Sequence, residues 1–199
     1  MSRLVLRGLR STLAGPFDME VGAGECVAVT GASGAGKSLF LRMIADLDPN
    51  EGEVWLDGRE RGSWTAPAWR RHAVYAAAEP GWWAERVRDH FAPAAEEAAR
   101  ALLPALGLAP AMMDVALTRL STGERQRLAL ARALVLDPPV LLFDEPTGAL
   151  DQEATLRVEE VLRARLARGA TILMVTHSAE QAARLGRRRL RMVGGRLEA

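Results

Sequence analysis

The sequence predicts an α/β fold built around a largely parallel sheet. Short β-like runs alternate with helical stretches along its 199 residues, the pattern that lays helices over parallel strands. That length suits one domain with a real core. An apolar content of 49% beside 26% charged residues belongs to a globular chain rather than a disordered one.

The expected strands, in order, are residues 4–6, 17–21, 26–30, 54–56, 74–77, 140–143, 171–176 and 190–193. Helices are expected at 37–45, 124–136, 152–168 and 179–185. Gly22-Ala23-Gly24 and Leu56-Asp57-Gly58 supply the glycines of tight connections. The stretch from about 84 to 118 is rich in Ala and Leu and carries Pro93, Pro104 and Pro110, so it reads as short helices inserted between core strands. No internal repeat, low-complexity tract or domain linker interrupts the chain.

Composition excludes several function classes. The formal net charge is only +1, which gives no reason to expect a polyanionic partner such as nucleic acid. Lys37 is the only lysine among 26 basic residues, so arginine runs reflect composition while this one lysine stands out. Cys26 is the single cysteine and lies in a strand-like run, where it reads as a small core residue of a protein kept in a reducing compartment. No apolar stretch reaches the roughly 18 residues needed to span a bilayer. The first residues, broken by Arg3 and Arg7, lack the apolar centre of a signal peptide. A soluble chain is expected, with any membrane role supplied by a partner.

Chemistry is concentrated in three places. Gly31-Ala32-Ser33-Gly34-Ala35-Gly36-Lys37-Ser38 fits the G-x-x-x-x-G-K-[ST] phosphate loop, and it follows an apolar strand and precedes a helix. Successive backbone N–H groups can converge on phosphates there, helped by the helix N-terminus. Lys37 reaches the β- and γ-phosphates as a compact charge, and the Ser38 hydroxyl suits Mg²⁺. Second, the apolar run Val140-Leu141-Leu142-Phe143 ends in Asp144 and Glu145. Asp144 would hold Mg²⁺ through water, and Glu145 would polarise an attacking water as general base. Third, in Leu120-Ser121-Thr122-Gly123-Glu124-Arg125-Gln126-Arg127 a serine caps a helix whose N-terminus can face a second phosphate tail.

This third run resembles the signature of the ATP-binding cassette (ABC) ATPases, L-S-G-G-[QE]-x-Q-R, with Thr122 in place of the first paired glycine. The resemblance covers essentially the whole chain. It extends to Gly148-Ala149-Leu150-Asp151, similar to the D-loop, and to Thr176-His177, similar to the switch histidine. It implies a P-loop NTPase with a RecA-like core, a short antiparallel β portion and a compact helical subdomain at about 84–135, within one domain over 1–199. It also implies a homodimer that sandwiches ATP, with Ser121, Gly123 and Asp151 serving the opposite subunit's nucleotide. His177 would then sense the γ-phosphate.

Two positions depart from the family. Ala73-Val74-Tyr75-Ala76-Ala77-Ala78-Glu79-Pro80 resembles the run [VI]-x-Y-x-x-Q-x-P, so Ala78 stands where the Q-loop glutamine is expected. That amide would touch Mg²⁺ and the attacking water; alanine does neither. The adenine-stacking aromatic is expected near Arg10 or Ser11, and neither is aromatic, while Phe17 is expected to face the core. After Pro80-Gly81 come Trp82 and Trp83, near the groove where the family receives a coupling helix. Trp83 is expected in the core, and Trp82 either in the core or as the candidate partner contact.

The resulting expectation is a Mg-ATP-hydrolysing subunit, cytoplasmic and peripheral on the inner membrane face, bound to a separate transmembrane permease. Its rivals are a soluble cassette of DNA maintenance or cluster assembly, and a regulatory cassette that hydrolyses weakly.

Overall fold

The computed structural model describes residues 2–198. Two sheets organise them. Strands β1 (Ser2–Arg10), β2 (Phe17–Gly22), β4 (Glu51–Leu56) and β5 (Arg59–Glu60) form an antiparallel sheet in the order β2-β1-β4-β5. The second sheet contains β3 (Cys26–Thr30), β6 (Ala73–Ala76), β7 (Val140–Asp144), β8 (Thr171–Val175), β9 (Arg188–Val193) and β10 (Arg196–Glu198), in the order β10-β9-β3-β8-β7-β6. All its pairings are parallel except β9 with β10.

The parallel strands are apolar at nearly every position because both of their faces are covered. Alternate side chains sort cleanly. Cys26, Ala28, Leu141, Phe143, Ile172 and Met174 join one buried cluster. Val27, Val29, Val140, Leu142, Leu173 and Val175 join the other. The first cluster packs under helices α4 (Thr122–Leu134), α5 (Gln152–Ala167) and α6 (Ala179–Leu185). The second holds α1 (Lys37–Ile44) and the inner face of the antiparallel sheet, with Phe17 edge-on to Phe40 at 4.7 Å. Cys26 is buried, and desolvation pushes its thiol up to about 12, so it is a core residue as expected.

Residues 84–120 are short helical pieces. Pro93, Pro104 and Pro110 lie in the first positions of three 3-10 turns, where a missing N–H costs nothing. Between them runs α3 (Glu96–Leu102). Leu103, Leu106 and Met113 face inward and are fully buried against the first cluster.

Three elements were not foreseen. Helix α2 (Ala66–His72) begins at Thr65, whose hydroxyl accepts from Ala68 N, and has proline in its first turn. Both are ordinary helix-start signals, masked by the short length of the helix. Its Trp69 is buried and donates its indole N–H to Ile44 O at 2.9 Å. Strand β5 is only two residues long and carries no pattern. Strand β10 returns from β9 through Gly194-Gly195, both at positive φ, the two-residue turn that suits a twisted hairpin.

Candidate functional site

Parallel strands all end at the same edge of their sheet, and that edge collects the chemistry. The loop 31–38 follows β3, Thr176 and His177 follow β8, Asp144 closes β7 with Glu145 next, and Ala77-Ala78 follow β6. Since β3, β8, β7 and β6 are consecutive neighbours, segments more than 100 residues apart in sequence become adjacent. Their ends are level: Thr176 N donates to Val29 O at 3.2 Å and Glu145 N to Val175 O at 3.0 Å.

In the loop, Gly31 sits at φ 145° with its α-carbon against β9; a Cβ there would lie 2.4 Å from Met192 O. Gly36 begins α1 without a side-chain cap, which leaves the helix's first N–H groups for a ligand. Ala32, Ser33, Gly34 and Ser38 are exposed, and Ala35 is partly so. Lys37 is 7% exposed, and its Nζ donates to Gly31 O and Ala32 O, both at 2.8 Å.

Asp144 is buried and accepts from the Tyr75 hydroxyl at 3.1 Å. Burial, and then the Asp144 carboxylate, raise the Tyr75 phenol above its ordinary value, so it stays a donor. Glu145 adopts φ 49°, an uncommon left-handed backbone for a non-glycine residue, which turns the chain sharply off the strand. Its Oε2 accepts from His177 N at 3.3 Å, and its Oε1 lies 3.1 Å from His177 Nε2. The second approach is close enough for an ion pair but does not form a hydrogen bond, leaving Oε1 buried without a donor. Desolvation raises the Glu145 carboxyl, opposed by His177 and by the charge of Lys37. Desolvation prevails over these two neighbours, so the carboxylate can accept a proton more readily than an ordinary one.

The start of α4 has a different set of contacts. Ser121 forms a full capping box with Glu124: its Oγ accepts from Glu124 N at 3.3 Å and donates to Glu124 Oε2 at 2.8 Å. The Ser121 N–H, which also donates to Glu124 Oε2 at 2.8 Å, and then the Ser121 hydroxyl hold the Glu124 carboxyl below the usual range. Gly123 packs against Ala149 and Leu150, where a Cβ would meet Ala149 O at 3.3 Å. Asp151 caps α5, accepting from Ala154 N at 2.8 Å. Among the described residues no hydrogen bond joins Ser121, Gly123 or Asp151 to loop 31–38. The chain thus has two groups of site residues, one at the sheet edge and one at the α4–α5 corner.

Gln126 links these groups, a role the sequence reading did not assign. It is buried on α4, donates to Glu145 O at 2.8 Å and accepts from Ala149 N at 2.9 Å. Its signal was present, since a glutamine on an apolar helix face needs partners. Gln181 behaves similarly, donating to Thr147 Oγ1 at 2.8 Å.

The sequence profile of the ABC transporter family matches residues 15–148. The chain belongs to the ABC transporter family. It is 38% identical to the lipoprotein-releasing system ATP-binding protein LolD of Myxococcus xanthus (strain DK1622), covering 96% of this chain and 92% of that protein. It is 35% identical to the sn-glycerol-3-phosphate import ATP-binding protein UgpC 1 of Rhizobium johnstonii, over 91% of this chain and 52% of that one. Among solved structures it resembles an ATP-binding subunit of an ABC transporter, with a TM-score of 0.89 and 25% identity over 100% of this chain and 89% of the other. The fold is therefore the P-loop NTPase α/β fold, and the activity is ATP hydrolysis coupled to transport rather than DNA maintenance, cluster assembly or a purely regulatory role.

With the ABC family in view, the departures acquire geometry. Ala78 and Glu79 are exposed on a cleft of about 230 Å³ shared with Thr122, Gln126 and Ala149. Ser11 organises a turn, its Oγ accepting from Leu13 N and Ala14 N at 3.2 Å each, and Leu13 is 79% exposed. Ala14 of that turn adjoins Gly36 of loop 31–38.

Trp83 does not take its expected core place, while Trp82 takes the core one of its two. Trp82 is partly buried on the first core cluster, whereas Trp83 is 71% exposed. Trp83 turns outward because the loop is pinned beneath it: His90 Nε2 accepts from Trp83 N at 2.9 Å and Ala84 N at 3.0 Å.

Proposed function

We propose that this chain binds Mg-ATP on loop 31–38 and powers a membrane transporter whose spanning part is a separate polypeptide. The observation that supports this most is the level edge where β3, β7 and β8 bring Lys37, Asp144, Glu145 and His177 together. Loop amides at Gly31, Ala32, Ser33, Gly34, Ala35 and Gly36 cradle the phosphates, and Lys37 leaves its loop carbonyls to reach them. Glu145 takes a proton from the attacking water, and His177 orients Glu145 and senses the γ-phosphate.

Among the described residues no group of three or more His, Cys, Asp and Glu could hold a metal alone. Mg²⁺ fits nonetheless, because it keeps most of its waters and takes one or two protein oxygens plus phosphate. Ser38 would supply such an oxygen directly and Asp144 would hold the ion through water, and the ion would neutralise charge on the transferred phosphoryl. Ser121, Gly123 and Asp151 would complete the opposite subunit's site in a two-fold dimer, consistent with their separation from this chain's own loop.

Ala78 leaves the cleft without the amide that ABC ATPases use to position water. Ala78→Gln is expected to raise turnover at saturating Mg-ATP by on the order of tenfold, with affinity unchanged, since one positioning donor in an enclosed site carries at least that much. Glu79→Ala changing turnover more than Ala78→Gln would transfer that role to Glu79.

The docking surface is a groove of about 720 Å³ beside β6 and α4, lined by Leu47, Val74, Trp83, Ala129, Ala133 and Leu136. No helix among the described residues is long and apolar enough to cross a membrane. A permease segment seated in this groove would hold the protein on the inner face of the membrane. The test is co-purification from detergent-solubilised membranes. Trp83→Ala should lower recovery of the spanning protein at least about tenfold, the scale of a central aromatic anchor. Equal recovery by wild type and variant would move the docking surface elsewhere.

A further inference from the structure

The groove contains a charge that its own chain does not neutralise. The Arg132 guanidinium lies 4.8 Å from the ring centres of both Trp82 and Trp83. Its two terminal nitrogens donate to the same acceptor, Gly81 O, at 3.1 Å. Among the described residues no carboxylate lies within ion-pair distance of it, although 14 other arginines have one. Burial lowers Arg132 below its ordinary value with nothing to oppose it. Arg61 is desolvated to a similar degree but has Asp46 and Glu60 to compensate.

A guanidinium has five donors, and one shared carbonyl leaves most of them to solvent. An apolar segment laid over this groove would strip that water away and return nothing, which disfavours docking. The two rings hold the guanidinium plane in place, so a carboxylate arriving there meets a preorganised fork. Its surroundings, Leu47, Ala133 and Leu136, accept apolar contact on either side.

We propose that the segment docking in this groove is apolar with one Asp or Glu, whose carboxylate pairs with Arg132 between Trp82 and Trp83. This rests on the reading of the groove as the permease docking surface. It adds a charge requirement that sorts correct partners from incorrect ones.

The experiment uses the spanning protein that the wild-type chain carries through purification. Arg132→Gln should lower its retention by about tenfold or more, and Arg132→Glu further, whereas Arg132→Lys should keep part of it. Each Asp and Glu in the cytosolic loops of the spanning protein is also changed to Gln against the wild-type chain, and then to Arg against Arg132→Glu. One position should cause loss in the first series and restore retention in the second. The first series leaves this chain unaltered, so misfolding of an Arg132 variant cannot obscure it. Undiminished retention in every member of that series overturns the carboxylate proposal. If Trp83→Ala loses the partner while the whole series keeps it, docking in the groove stands and the charge pairing falls. If Trp83→Ala also keeps it, the docking reading falls as well.

Discussion

Glu145→Gln is expected to reduce ATP turnover by on the order of a thousandfold while leaving nucleotide affinity nearly unchanged. The amide keeps the size of the carboxylate, so the left-handed turn at φ 49° and the contact to His177 N can persist. What disappears is the group able to accept a proton from water, and general-base and electrostatic contributions of this kind are each worth about 10²-fold or more. Binding without turnover should accumulate the proposed dimer, measurable as a doubling of mass by size exclusion with Mg-ATP. The desolvated charge is also removed, so the variant should unfold at the same temperature as wild type or higher. Turnover within a few-fold of wild type would take the base role from Glu145. A purely monomeric variant at high concentration would count against the composite site.

Lys37→Ala is expected to weaken ATP and GTP alike, by about 10²-fold or more in equilibrium titration. Charge-assisted hydrogen bonds are worth roughly 1.5–3 kcal/mol each, and Lys37 would form two with phosphate oxygens. The equal loss for both bases follows from the absence of an aromatic ring at Arg10 and Ser11: phosphate and Mg²⁺ contacts dominate the binding free energy. Lys37→Arg should fail as well. The ammonium sits 7% exposed between Gly31 O and Ala32 O, a space that a planar guanidinium does not match. An affinity for ATP unchanged in Lys37→Ala, or a loss confined to one base, would overturn the phosphate-loop assignment.

Much of this protein follows from contiguous stretches of its sequence. The proposed phosphate loop is legible because a cradle of consecutive backbone N–H groups needs residues that are neighbours in the chain. The strand ending in Asp144-Glu145 and the helix capped by Ser121 are legible for the same local reason, and the capping box is present in the structure. The unbroken apolar runs of β3, β7 and β8 reveal strands covered on both faces, hence a parallel sheet. What lies outside such runs was harder to read. Helix α2 is seven residues long, too short for its periodicity to show above noise.

Only the tertiary structure decided which of two adjacent tryptophans is exposed. Trp82 and Trp83 have identical local chemistry, and the choice depends on His90, which accepts the loop's N–H groups. In the same way, Gln126 acquires its partners from Glu145, just after β7, and from Ala149, and Arg132 is left uncompensated by which residues happen to surround it. The sequence by itself determined the fold class and pointed to the proposed phosphate loop and the paired carboxylates Asp144 and Glu145, because propensity, capping and backbone geometry act over a few residues. The environment of each side chain depends on packing between segments up to 180 positions apart, such as Gly15 with Gly195. That packing sets desolvation and hydrogen bonding, and through them the charge and exposure of the groups that do the work.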